Sequence, residues 1–131
     1  MSFIIRMGVP TMQAYWNDMR QRAKEDRLDK EEWKLWKKLA KIVLLLSSNP
    51  RHNSLQSHEI DNLTRRYEKI TGKLYKVWQS YLENNTPAAG RLFWVYGPGK
   101  GEITVIGLEP HPDDKKAGYA KVTLSMLPRF S

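Results

Sequence analysis

A chain of 131 residues with a mass of 15.3 kDa is long enough to bury one hydrophobic core, so we expect a single domain over residues 1–131. Hydrophobic residues make up 40% of the chain and five tryptophans are present, a composition that favours a packed globule over a disordered chain. Twenty-two Lys and Arg against fourteen Asp and Glu give a net charge of +8. This surplus favours a polyanionic partner, nucleic acid or an acidic protein, although it also fits an ordinary basic surface.

The absence of cysteine excludes disulfides and thiolate chemistry and favours a reducing compartment. No apolar run approaches the length that crosses a bilayer, and Met1–Arg6 lacks the basic and long apolar segments of a signal peptide. We therefore expect a cytoplasmic protein without a membrane partner.

The first third of the sequence predicts a short strand followed by two helices. Phe3–Ile5 has the composition of a strand, and Thr11 is a candidate N-cap for a helix with one apolar face. Asp29, followed three residues later by Glu32, matches a capping box, which predicts a second helix that runs to about Leu46. One face of this second helix is apolar, and its lysines lie mainly outside it; the inner face consists of Trp33, Trp36, Leu39, Ala40, Val43 and Leu46.

The rest of the sequence changes from polar to rich in β-branched and aromatic residues. Residues 51–62 predict a polar loop, and residues 62–70 predict a further short helix or an irregular crossing. Three strands are expected over residues 73–82, 90–96 and 102–111, because runs of strand-forming residues alternate there with turns rich in Asn, Pro and Gly.

This order of elements predicts an α+β fold. We expect a small antiparallel sheet, formed by the N-terminal strand and the three-strand meander, packed on the N-terminal helical hairpin. The opposite face of the sheet would be exposed and lined by Lys, Arg and aromatic tips. Such a sheet would gather Lys76, Arg91 and His111, a combination that suits an anionic substrate, with phosphate as the obvious candidate.

Four segments resemble the RelE/ParE superfamily, the toxins of bacterial type II toxin–antitoxin systems. Residues 49–60 are similar to the stretch that follows the second helix of that family, and Lys76–Trp78 to its first central strand. Gly90–Tyr96 resembles the strand that carries a functional arginine. Glu102–His111 resembles the last strand and the segment after it, where members place a histidine or an arginine.

The resemblance implies a RelE-like fold and the function of a toxin. The RelE branch is similar to metal-free endoribonucleases, or mRNA interferases, that cleave mRNA on the ribosome, so no cofactor and no metal are expected. An acidic cognate antitoxin, mRNA and the ribosome are the implied partners. Two alternatives stay open, a ParE-like non-enzymatic toxin that binds DNA gyrase and an inactive basic nucleic-acid-binding member of the fold.

Cleavage of RNA without metal uses the 2′-hydroxyl as nucleophile, so it needs a base, cations at the phosphate and an acid for the leaving oxygen. Arg91 is the candidate phosphate clamp, and its alternative is a strand arginine paired with Glu83 or Glu102. Lys76 is a second phosphate ligand or an ordinary exposed lysine. His111 is the candidate general acid or base, or simply a turn residue between two prolines.

Four further residues are expected to bind substrate: His58, Arg51, Tyr119 and Lys73. A loop histidine bonded to backbone is the alternative for His58, and a packing role is the alternative for Tyr119. The three histidines are too dispersed for a zinc site. Residues 97–101 are rich in glycine but lack the spacing of a phosphate-binding loop, and they predict a hairpin turn.

Overall fold

The computed structural model describes residues 2–8, 11–82 and 90–110, together with Val122 and Leu124. Three helices and five strands are present in this part of the chain. In chain order they are β1 (Ile4–Met7), α1 (Thr11–Lys24), α2 (Lys30–Ser48), β2 (His58–Glu59), α3 (Asp61–Thr71), β3 (Trp78–Tyr81), β4 (Gly90–Tyr96) and β5 (Glu102–Pro110), with a 3₁₀ turn at Asn53–Leu55.

The five strands form one sheet in the order β1-β5-β4-β3-β2. Neighbouring strands are antiparallel from β2 to β5, whereas β1 runs parallel to β5. The α+β class is confirmed, but the expectation of a wholly antiparallel sheet is wrong. The expected loop over residues 51–62 also contains β2, which pairs His58 with Gln79. A strand of two residues is too short to show an alternating pattern, so its sequence gave no sign of it.

Helix α2 begins at the predicted capping box. The Asp29 carboxylate accepts a hydrogen bond from the Glu32 N–H at 2.8 Å, and the Glu32 carboxylate accepts one from the Asp29 N–H at 3.0 Å. Arg22 of α1 binds the same Glu32 carboxylate at 2.7 Å, and the Trp16 and Trp36 rings lie 4.8 Å apart between the two helices. The ion pair of Arg22 with Glu32 therefore stabilises the tip of the helical hairpin, and the contact of Trp16 with Trp36 stabilises the packing of the two helices.

Helices cover both faces of the sheet. The buried face of α2 packs on one face in a cluster that includes Leu39, Leu46 and Trp94. Helix α3 packs on the other face, where Leu63 and Tyr67 belong to a second buried cluster. The expected exposed second face is therefore wrong, because α3, one of the two interpretations of residues 62–70, covers it.

A chain of buried hydrogen bonds ties the segment after α2 to the sheet. The Trp94 indole N–H donates to the Ser80 hydroxyl at 2.8 Å, and the Ser80 and Ser57 hydroxyl oxygens lie 2.7 Å apart. Ser57 in turn donates to the Pro50 carbonyl oxygen at 2.8 Å. Because an unpaired buried polar group is costly, these bonds fix the position of the segment that carries Arg51.

Glu32→Gln tests the charge at the hairpin tip. The hydrogen bond from Arg22, followed by that from the Asp29 N–H, lowers the pKa of Glu32. Because the pKa of Glu32 is lower in the folded protein than in the unfolded chain, its charged carboxylate stabilises the fold at pH values above the unfolded pKa. This stabilisation is lost as the pH falls through the folded pKa. We expect the variant to unfold at less urea than the parent at pH 7 and at the same urea in strong acid.

The control is Glu31→Gln, whose exposed carboxylate lies 3.5 Å from the Lys34 ammonium in the same first turn. It should shift the midpoint less than Glu32→Gln does. A Glu32→Gln effect of the same size at every pH would contradict the assigned carboxylate interaction.

Ser80→Ala tests the buried hydrogen-bond chain. The change leaves the Trp94 indole N–H and the Ser57 hydroxyl without their shared partner, and we expect a loss of about 1–3 kcal/mol in the free energy of unfolding. Urea denaturation measures it. Ser48→Ala removes an exposed hydroxyl that bonds its own helix and should change the free energy by less than about 0.5 kcal/mol. Equal effects of the two substitutions would show that the hydrogen bonds of Ser80 do not contribute to the free energy of unfolding.

Candidate functional site

The positive charge is concentrated in the middle of the chain. Residues 33–82 contain ten Lys and Arg but only three Asp and Glu. These cations lie on α2 and α3, in the segment after α2 that carries Arg51, and in the segment that joins α3 to β3; exposed members of the set are Lys34, Lys37, Lys41, Arg51, Arg65, Lys69, Lys73 and Lys76. Most of the net positive charge of the protein therefore lies in this part of the chain.

The centre of the candidate site is a row of three residues across neighbouring strands. Tyr81 of β3 lies directly opposite Arg91 of β4, which lies directly opposite Glu109 of β5. Residues opposite one another share a face of the sheet, and two residues beyond Arg91 that face carries Phe93, which belongs to the α3 cluster. The row therefore occupies the α3 side of the sheet, at the end of β3.

Arg91 is held tightly in this row. Its guanidinium carbon lies 3.8 Å from the centre of the Tyr81 ring, and its Nη1 donates to the Gly90 carbonyl oxygen at 3.3 Å. The residue is only 2% exposed, so its charge acts in a medium of low dielectric constant. In this conformation the Arg91 guanidinium packs on Tyr81, with Glu109 opposite it on β5, and it does not present its fork to solvent.

His58 lies on the other side of Tyr81. The two rings are 6.1 Å apart between centroids, and His58 is exposed. Its Nδ1 is 3.0 Å from the Gln56 carbonyl oxygen. A carbonyl oxygen can only accept, so this contact requires the proton on Nδ1 and leaves Nε2 as the acceptor of the neutral ring. The backbone bond expected as the alternative for His58 is present, and it sets the tautomer that a general base needs.

The predicted partners of Arg91 are not where the sequence suggested. Glu102 lies at the far end of β5 from Glu109, and there it binds Arg6 at 2.7 Å and accepts from the Gly99 N–H at 2.9 Å. Glu83 lies outside the described residues. The acidic residue opposite Arg91 is Glu109, which the sequence interpretation did not consider.

Lys76 is not brought together with Arg91. Antiparallel pairing sets Tyr81 opposite Arg91, so Lys76, five residues earlier, is separated from Arg91 by roughly 16 Å of extended chain. Lys73 lies between α3 and β3, next to Gly72, and both lysines are exposed. The two lysines belong to the opposite end of β3.

Arg51 lies on the other face of the sheet. Its guanidinium carbon is 4.5 Å from the centre of the Trp78 ring, which packs against the α2 cluster. His111 and Tyr119 lie outside the described residues. The residue before His111, Pro110, pairs with Gly90 at the end of the sheet where Arg91 lies.

Tyr81 and Glu109 are the site residues that the sequence interpretation missed. Neither shows a motif, and each is recognisable only through its partner across the strands. The registers of β3 and β5 against β4 would have revealed both, but the sequence between β3 and β4 carried no signal that fixed the register of the two strands.

The described residues contain neither a metal-binding group nor a membrane-spanning helix. Within residues 2–8, 11–82 and 90–110, no three His, Asp or Glu side chains come together as a metal site requires. None of the described helices combines the length and the apolarity needed to cross a bilayer. One open cleft of about 300 Å³ lies elsewhere, between β1, α1 and α2, and it is lined by Arg6, Gln13 and Asn17 among others.

In comparison with known proteins, no protein family, no curated protein and no solved structure matches the chain.

Proposed function

We propose that the chain is the toxin of a type II toxin–antitoxin system, a RelE/ParE-like endoribonuclease that cleaves mRNA without metal. The observation that carries the proposal is the pair His58 and Arg91, a proton acceptor and a buried cation on opposite sides of Tyr81. The net charge of +8 supports RNA as the polyanion. The order of elements and the four segments that resemble the family support the assignment further.

The reaction requires a general base that accepts the proton of the 2′-hydroxyl and a general acid that donates a proton to the leaving 5′-oxygen. His58 Nε2 accepts the proton of the 2′-hydroxyl, and the 2′-oxygen attacks the adjacent phosphorus. The bond from phosphorus to the 5′-oxygen breaks, a 2′,3′-cyclic phosphate forms, and the leaving oxygen takes a proton from a general acid. His111 is the candidate for that acid, because it follows Pro110 at the same end of the sheet.

Arg91 would act through charge more than through contact. A guanidinium that is 2% exposed and stacked on Tyr81 stabilises negative charge at the phosphate while it holds the tyrosine ring in place. Lys76 and Lys73 would bind phosphates upstream or downstream of the cleaved bond, because both are exposed at the other end of β3. An acidic antitoxin is the partner that this basic surface implies, and the ribosome is the implied place of action.

A second function is favoured by one observation, the burial of Arg91. An arginine that is 2% exposed and packed on a ring also fits a structural role, in which case the chain is a ParE-like toxin that binds gyrase without cleaving RNA. A supercoiling assay separates the two. Inhibition of gyrase by protein that leaves RNA intact would establish the second function.

His58→Ala tests the proposed base. We expect the rate of RNA cleavage in EDTA, measured on purified RNA and on translating ribosomes, to fall by a factor of about 10² to 10⁴, which is typical of a lost general base. Products of the parent should end in a 2′,3′-cyclic phosphate. His52→Ala, a change at an exposed histidine on the same segment, is the control and should cleave at the parent rate.

Arg91→Lys and Arg91→Met separate charge from shape at the buried position. Lysine keeps the charge and methionine keeps most of the volume, so we expect cleavage to fall further with methionine than with lysine, while both retain the parent's circular dichroism spectrum. Cleavage that His58→Ala and Arg91→Met leave undiminished would sink the assignment of this site.

A further inference from the structure

We propose that a second surface, on the α2 face of the sheet, binds the single-stranded RNA that flanks the cleaved bond by base stacking. This Trp78 surface consists of Arg51, Lys76, Trp78, Trp94 and Tyr96. The inference rests on RNA as the substrate proposed above, and it concerns residues that the proposed cleavage does not use, Lys76 excepted.

Three aromatic rings form the base of the Trp78 surface. Trp78 and Trp94 are opposite one another on β3 and β4, with ring centroids 5.7 Å apart and planes inclined by 16°. The Tyr96 ring stands nearly perpendicular to both, at 6.2 Å from Trp78 and 5.0 Å from Trp94. Trp94 is fully buried, whereas Tyr96 is 37% exposed. The buried Trp94 and the half-buried Trp78 thus hold the partly exposed Tyr96 ring in place.

Arg51 adds a planar cation to these rings. Its guanidinium carbon lies 4.5 Å from the centre of the Trp78 ring, and the hydrogen bonds that Ser57 makes with Ser80 and with the Pro50 carbonyl oxygen hold its segment against the sheet. Arg51 is exposed, so a ligand can reach it from the side away from the indole. Bases stack on arginine planes as they do on aromatic rings, and the N–H groups of such an arginine bind phosphate.

The charge around these rings favours RNA over an acidic protein segment. Lys76 lies two residues before Trp78 and is exposed, and residues 33–82 carry ten cations against three anions. An acidic peptide would bind the cations, but its carboxylates would not stack on the exposed part of Tyr96, whose ring also lies 5.8 Å from Phe3. A single strand of RNA satisfies both, because it offers phosphates and the flat faces of bases together.

The position of the Trp78 surface suits a strand that also reaches the candidate site. Trp78 lies three residues before Tyr81 on the same strand, which is roughly 10 Å along the sheet, but faces the other side. The intervening edge is β2, a strand of only two residues. A flexible RNA strand can therefore pass around this short edge, with one nucleotide at His58 and a base several nucleotides along the strand at Arg51 or Tyr96.

Binding of a 2′-O-methyl oligoribonucleotide tests the inference, since that probe cannot be cleaved through its 2′-oxygen. Fluorescence anisotropy of a labelled probe gives the dissociation constant. We expect Tyr96→Ala and Tyr96→Leu each to weaken binding about tenfold or more, because a stacking partner is lost, and Tyr96→Phe to bind like the parent. Arg51→Ala should weaken binding and make the slope of log K against log salt shallower by about 0.7.

The matched control is Arg65→Ala, which removes the same charge from an exposed arginine of α3 that pairs with Asp61 at 3.1 Å. It should weaken binding less than about twofold. Equal affinities of the parent and both Tyr96 variants would overturn the inference, as would equal losses from Arg51→Ala and Arg65→Ala. The probe is not cleaved, so binding that depends on Tyr96 in a protein that fails to cut RNA supports this surface and refutes only the proposed catalysis.

Discussion

Burial of β4 on both of its faces is the constraint on which the rest of the structure depends. Five consecutive residues, Arg91–Val95, are buried, and the strand is bonded to β3 on one side and β5 on the other. Alternate side chains of such a strand must be covered by different layers. Leu92 and Trp94 pack with α2 and Phe93 and Val95 with α3, so a single strand organises both cores.

An irregularity in β5 adapts the sheet to these two layers. The register of β4 against β5 shifts between Phe93 and Trp94, where Phe93 pairs with Gly107 and Trp94 with Val105. Ile106 is the extra residue, and it joins the α3 cluster while Val105 stays with the α2 cluster. The shift lets β5 supply apolar side chains to both layers near the middle of its length, and it leaves Glu109 opposite Arg91.

Features that depend on near neighbours in the chain could be predicted from the sequence. The capping box at Asp29 and Glu32 and the last two strands follow from local chemistry, and the structure contains them. The direction of β1 could not be predicted, because it depends on how many times the chain reverses before β5. The coverage of the second face was missed for a related reason: the pattern of residues 62–70 fitted a short helix or an irregular crossing and did not indicate what either would pack on.

The candidate site shows the same limit at the level of residues. Arg91 was identified by its type and by the strand around it, but its partner Tyr81 depends on the register of two strands. The expectation that Lys76 lies beside Arg91 considered which strands are neighbours but not the direction in which each strand runs. In an antiparallel pair the beginning of one strand meets the end of the next, so residues at equivalent positions in sequence are far apart in space.

The parallel pair of β1 and β5 has a consequence for the order in which the molecule is assembled. Ile4 pairs with Glu102 and Arg6 bonds Glu102 across 96 positions of sequence, so the first strand has no partner in the sheet until the last one has left the ribosome. Contacts this distant in sequence are closed late and at a high entropic cost. An unfinished chain therefore carries an open sheet edge at β4 together with an unattached first strand. The completed fold, and any activity that depends on it, appears only when synthesis has passed β5.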